Sequence, residues 1–103
     1  MSKKLIINAD DYGLDEDANQ AIIILAKENA ITSTSVMANL VTDKAISILK
    51  QLSVSTGLHL NLIEGKPISD PNKVRSLIDE DDNFLSWDKL LFHFILRKIK
   101  KTK

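Results

Sequence analysis

An α/β fold of alternating βα units with a parallel sheet is predicted by three features of this 103-residue sequence. Short runs rich in apolar and β-branched residues alternate with stretches of helical periodicity. Acidic or hydroxyl residues stand where each helix would begin. Polar groups also gather near the carboxyl ends of the first and third runs, the rim on which such folds bind ligands.

The elements follow in order. Lys4 to Asn8 reads Lys-Leu-Ile-Ile-Asn, a run suited to a strand buried on both faces of a parallel sheet. After the polar stretch Ala9 to Gly13, the residues Ala18, Ala21, Ile22, Leu25 and Ala26 recur at helical spacing and form one apolar stripe. Asp15, Glu16 and Asp17 give the first turn of that helix the charge its dipole favours. Ile31 to Ala38, rich in β-formers, is the second strand. Thr42 is placed to cap a helix over Asp43–Leu52 with Ala45, Ile46, Leu49 and Leu52 facing inward.

Val54 to Leu62 is the third strand, and its alternation puts Leu58, Leu60 and Leu62 on one face and Gly57, His59 and Asn61 on the other. Glu64-Gly65-Lys66-Pro67 breaks it. The polar connection from Pro67 to Asn83 holds a short helix around Val74, Leu77 and Ile78. Ser86 then caps a last helix whose stripe is Trp87, Leu90, Leu91, Phe94 and Ile95, with Trp87 in the core and His93 on the exposed side.

Composition narrows the class. With 44% hydrophobic and 27% charged residues the chain is an ordinary globular one rather than a disordered or fibrous one. It has no cysteine, so neither a disulfide framework nor a thiolate metal site is available, and a reducing, cytoplasmic setting is expected. No apolar run approaches a membrane span or a signal-peptide core, so no membrane partner is expected. The zero net charge hides a split: Arg97, Lys98, Lys100, Lys101 and Lys103 close a body in which acids outnumber bases. Such a tail reads as the solvated end of a helix whose dipole it complements, and no nucleic-acid partner is expected.

Two groups of residues can carry chemistry. Adjacent carboxylates such as Asp10 and Asp11 repel in a confined site, and either a shared cation or a proton relieves them. Asp pairs at loops more often cap a helix or form an Asx turn. His59 shares a small, polar strand face with Gly57 and Asn61 and converges with the aspartates on one rim. A lone strand histidine is more often a structural hydrogen-bonding residue, but histidine with aspartate suits a divalent cation such as magnesium, manganese or zinc. The run Asp79-Glu80-Asp81-Asp82 lacks the ligand spacing of an EF-hand and reads as a solvated acidic turn. Glycine-rich phosphate loops, serine nucleophile elbows and cysteine nucleophiles are all absent from the sequence.

Taken together, four blocks in order resemble the YdjC-like carbohydrate deacetylases. They are Leu5 to Leu14 (Leu-Ile-Ile-Asn-Ala-Asp-Asp-Tyr-Gly-Leu), Ile31 to Asn39, Gly57 to Leu62 followed by Glu64-Gly65-Lys66-Pro67, and Ser76 to Asp81 with Phe84. The resemblance implies a (β/α) barrel related to the NodB polysaccharide deacetylases, and removal of acetyl groups from N-acetylated sugars such as chito-oligosaccharides. It implies that Asp11 and His59 are metal ligands, Mg2+ before Zn2+ or Mn2+, that Asp10 is the general base, and that Asn61 contacts substrate. The implied reaction is metal-assisted hydrolysis. Tyr12 stands where the family usually has phenylalanine, and Asn29-Ala30 replaces a common glycine.

A barrel of this kind runs to about 250 residues, and the family places a further metal histidine and the general acid beyond position 103. Residues 1–103 are therefore expected to form a single incomplete domain, the N-terminal part of a deacetylase, truncated and inactive alone. The alternative is a non-catalytic binding or partner subunit, associating with itself or another chain through an open sheet edge.

Overall fold

The computed structural model describes residues 2–96. They divide into two compact units, one ending at Leu60 and one beginning at Asn61. The first unit is β1 (Asn8–Tyr12), α1 (Glu16–Lys27), β2 (Ser33–Val36), α2 (Asp43–Leu49) and β3 (Ser55–Leu58). Its strands form one parallel sheet in the order β1-β2-β3, the alternating βα architecture expected from the sequence.

The sheet has two unlike faces. Ala9, Tyr12 and Val36 turn toward α1 and α2, where Ile22, Ile23, Ala26, Ile31, Ala45 and Leu49 complete the core. Each fully buried aliphatic side chain there contributes roughly 1.5–3 kcal/mol. Strand alternation sends Asn8, Ser33, Ser35, Ser55 and Gly57 to the other face. Thr34, fully buried on the core side, satisfies its hydroxyl by donating to the Ala9 carbonyl at 2.8 Å. Tyr12 is also fully buried, and its hydroxyl donates to the Ala45 carbonyl at 2.7 Å, joining β1 to α2.

Burial, helped by the Glu16 carboxylate, raises the Tyr12 phenol above its ordinary value of 10. The neutral form is thus favoured in the fold, so its stabilisation is complete below pH 10 and is lost as pH rises through the higher folded value. Tyr12→Phe is expected to cost about 1 kcal/mol at neutral pH and to flatten the alkaline limb of a stability–pH curve measured by urea unfolding. An unchanged alkaline limb would rule out Tyr12 as its source.

The first two helices begin where local chemistry dictates, whereas Ser86 precedes the last helix without the side-chain capping bond expected of it. Asp15 caps α1 by accepting from the Ala18 amide at 2.8 Å, and Thr42 caps α2 by accepting from the Ala45 amide at 3.2 Å. At the other end of α1, Asn29 adopts φ +56°, Ala30 N–H donates to the Leu25 carbonyl at 2.9 Å and Asn29 N–H to the Ala26 carbonyl at 3.1 Å. That is a Schellman ending, and asparagine tolerates its left-handed position well enough to stand in for glycine.

Several expectations shift. The first strand starts at Asn8 rather than Lys4, and Leu5 and Ile6 are three-quarters exposed instead of buried on both faces. β1 lies at an edge of the described sheet, so the apolar run lacks the neighbours that would cover it. The buried face of α1 is Asn19, Ile22, Ile23 and Ala26, with Ala21 and Leu25 exposed. The stripe is rotated because Asn19 turns inward to accept from the Gly13 amide at 2.7 Å. Replacing Asn19 with leucine leaves that N–H without a partner, and a loss of about 1–3 kcal/mol is expected in urea unfolding. The third strand ends at Leu58, and Leu58 and Leu60 are exposed.

The second unit holds two short 3-10 turns, Pro71–Lys73 and Arg75–Leu77, where a short helix was expected, and α3 (Trp87–Ile95). The acidic run is a solvated turn, as its spacing predicts: Asp79 Oδ1 accepts from the Asp81 and Asn83 amides, and Arg75 pairs with Asp82 at 2.9 Å. α3 is turned differently from expectation. Trp87, Phe94 and Ile95 are about two-thirds exposed, while His93 is half-buried with Nδ1 3.3 Å from the Ser76 carbonyl. An amphipathic stripe marks a face that gains from being covered, and no described element covers this one. The basic residues 97–103 lie outside the described residues.

Candidate functional site

The site is built by an irregularity in β1. Asn8 and Ala9 pair with Ser33 and Thr34, but Tyr12 pairs with Val36, so Asp10 and Asp11 together stand opposite Ser35. The extra residue is Asp11, at φ +74°. In a regular strand Asp11 would follow Ala9 onto the core face. The bulge passes that place to Tyr12 and keeps both carboxylates out of the core. The pair therefore lies within the end of the strand, not just past it as the sequence suggests.

A tight turn locks the bulge. Leu14 N–H donates to the Asp11 carbonyl at 3.0 Å, and Gly13, between them, sits at φ +99° with its amide held by Asn19. Only glycine takes that φ without strain. Space excludes other residues as well, since a Cβ on Gly13 would lie 2.7 Å from Val41 Cβ.

His59 reaches the same rim from the end of β3, where its amide donates to the Val36 carbonyl at 2.9 Å. Its Nδ1 lies 3.2 Å from Asp11 Oδ1. That distance suggests an ion pair, yet Nδ1 is buried and makes no hydrogen bond with any described residue. The contact is therefore a close approach of two polar atoms and not a donor–acceptor pair. A buried ring nitrogen left without a partner costs about 1–3 kcal/mol, and a cation between it and the carboxylate removes that cost. Two ligands at right angles on one cation, each about 2.1 Å from it, stand about 3 Å apart, so Asp11 and His59 fit a divalent ion. Among the described residues no cluster of three such side chains forms.

Asp10 is exposed and accepts from Asn8 Nδ2 at 3.0 Å. Asn8 in turn accepts from the Ser33 hydroxyl at 2.7 Å and donates to Ser35 Oγ at 3.1 Å. Asn8, Ser33 and Ser35 carry no expectation from sequence. The available signal is their i, i+2 spacing on paired strands, which puts them on the Asp10 face. Asn61 belongs to the second unit, and its amide is engaged in its own turn: Oδ1 accepts from the Ile63 and Glu64 amides, and Nδ2 donates to the Glu64 carbonyl at 2.8 Å.

Comparison with known proteins places the chain as a whole in a family. The model of the YdjC-like protein family matches residues 4–103. The chain is 39% identical over 90 residues to a carbohydrate deacetylase of Clostridium beijerinckii, covering 85% of this chain and 36% of that protein. It is 38% identical over 84 residues to one of Thermoanaerobacter pseudethanolicus, covering 80% and 34%. A crystal structure from Enterococcus faecalis, designated a cellobiose-phosphate cleavage protein, superposes with a TM-score of 0.78 at 30% identity over 97% of this chain and 38% of that one. The chain thus spans about a third of the length of the curated relatives it matches. With its four sequence blocks and its βα architecture, the chain belongs to the YdjC-like family, whose curated relatives are carbohydrate deacetylases.

Proposed function

We propose that this chain carries the metal-and-base part of the active site of a carbohydrate N-deacetylase, acting on N-acetylated sugars or chito-oligosaccharides. The observation that supports it most is the Asp11–His59 pair, whose buried Nδ1 lacks a hydrogen bond, on the rim that also bears Asp10. Asp11 and His59 would hold a divalent cation, Mg2+ first, with Zn2+ and Mn2+ as the other candidates. When bound, the cation supplies Lewis acidity that polarises the acetamide carbonyl and acidifies water. Asp10 then accepts the proton of the attacking water at its carboxylate. The carbonyl carbon gains the water oxygen, and as the C–N bond breaks the leaving nitrogen takes up the equivalent of the proton that Asp10 removed, so that acetate and a free amine result. Asn61, in its turn at the start of the second unit, is proposed as a substrate contact. A cytoplasmic setting accords with the cysteine-free sequence.

By itself the 103-residue chain is expected to hold metal weakly and hydrolyse little, because two protein ligands leave a cation under-coordinated. Acetate release from N-acetylated chito-oligosaccharide with added Mg2+, Mn2+ or Zn2+ tests both statements. Turnover by the wild type that vanishes in Asp10→Asn supports the assigned chemistry. Turnover that survives removes Asp10 from the role of base.

The exposed edges favour a second reading, a non-catalytic partner subunit. β1 and β3 each leave one side unpaired in the described sheet, and Leu5, Ile6, Leu58 and Leu60 are all more than two-thirds exposed. Unpaired strand edges of this kind invite association. Light scattering is expected to find a defined oligomer if the chain works as a subunit; a monodisperse monomer contradicts that reading.

A further inference from the structure

Asn8 is held from three directions. Its Oδ1 accepts from the Ser33 hydroxyl at 2.7 Å, and its Nδ2 donates to Ser35 Oγ at 3.1 Å and to Asp10 Oδ1 at 3.0 Å. A carboxylate only accepts, so the amide nitrogen must face Asp10, and the Ser33 hydroxyl then pins the carbonyl end. Both amide hydrogens and the carbonyl are thereby engaged, which removes the side chain's freedom to rotate or flip. The parallel register, with Asn8 opposite Ser33, delivers these groups to one face of two strands. Asp10, by contrast, is exposed at a bulge, where a short side chain would otherwise sample several rotamers.

From this geometry we propose that Asn8, clamped by Ser33 and Ser35, is the positioning residue that fixes the Asp10 carboxylate for proton transfer. The inference rests on the role of Asp10 proposed above. Asn8 engages Oδ1 and so leaves Oδ2 as the oxygen offered to water. It acts through Asp10 and not through the Asp11–His59 pair, since its side-chain hydrogen bonds among the described residues go to Asp10, Ser33 and Ser35.

The test uses the polypeptide as its native source makes it, with N-acetylated chito-oligosaccharide as substrate and Mn2+ as the metal probe. Asn8→Ala is expected to lower kcat about 10- to 100-fold, with KM and the Kd for Mn2+ each within about twofold of wild type. Ser33→Val, which removes the hydroxyl, should lower kcat in the same sense, and Ser33→Thr, which keeps it, should restore it. That pair carries the comparison if Asn8→Ala does not fold. A loss of Mn2+ affinity parallel to the loss of kcat overturns the proposal, as does an equal loss in Ser33→Thr. A readout independent of turnover is the pair of Asn8 side-chain amide proton resonances, expected to move in Asp10→Ala and in Ser33→Val. Absence of any deacetylation by that native polypeptide, as distinct from residues 1–103 alone, defeats the functional reading but not the positioning, which the resonances then decide. Unmoved resonances in Asp10→Ala overturn the positioning itself.

Discussion

Adding a divalent cation at about a hundred times its Kd is expected to stabilise the wild-type chain by about 2.7 kcal/mol. For a domain of this size that is a rise in Tm of roughly 10–20 °C. Asp11→Asn and His59→Gln should each abolish most of it and weaken binding on the order of a hundredfold, because each removes one of the two ligands proposed above. Asparagine is the right replacement at position 11: the residue sits at φ +74°, and asparagine tolerates the left-handed region where alanine adds strain. Without metal the order should be neutral or reversed, since the unbonded His59 nitrogen beside the Asp11 carboxylate is then a cost. Thermal unfolding with and without Mg2+, Mn2+ and Zn2+, paired with isothermal titration, measures both halves. Equal metal-induced shifts in the wild type and both variants would place the cation elsewhere.

Gly13→Ala is expected to be the most damaging single methyl group in the first unit. It forces a side chain onto φ +99° and drives Cβ to 2.7 Å from Val41 Cβ and 3.0 Å from Val41 Cα. The left-handed conformation costs about 1–2 kcal/mol, and overpacking against backbone about 1–3 kcal/mol more. A total near 3 kcal/mol lowers the Tm by more than about 10 °C. Gly57→Ala is the matched control, because a Cβ there meets nothing within 4 Å and its effect should stay within about 0.5 kcal/mol. Urea unfolding of the two variants distinguishes them, and comparable midpoints would mean that the turn after Asp11 is not the constraint described. Because the same turn holds the Asp11 carbonyl, Gly13→Ala should also reduce metal affinity.

The outline of the fold was legible in the residues. Thr42 caps its helix where its side chain predicts. The acidic run expected to charge the first turn of α1 supplies Asp15 as its cap, with Glu16 and Asp17 in that turn. The three strands fall in or beside their apolar runs. These features are local, decided within a few residues by hydrogen bonds the chain makes with itself. The misplacements were of another kind. Ala21 and Leu25 belong to a good apolar stripe yet lie exposed, while polar Asn19 is buried to satisfy Gly13. Trp87 reads as core and lies two-thirds exposed. Periodicity reports which face would gain by losing water; it does not report whether a neighbour is there to exclude it.

The site divides in the same way. By itself the sequence determined the chemistry available: two adjacent carboxylates, a histidine on a small polar face, and the strand–helix alternation that puts both near one rim. Only the tertiary structure decided how they meet. The bulge at Asp11 moves Tyr12 into the core and leaves both carboxylates outside it. The parallel pairing of β2 with β3 carries His59 to 3.2 Å from a carboxylate far earlier in the chain, and the register of β1 on β2 closes Ser33 and Ser35 around Asn8. Residue spacing encodes a side chain's face on its own element. Contact between side chains on different strands depends on register, bulges and backbone φ, which arise only when the elements pack.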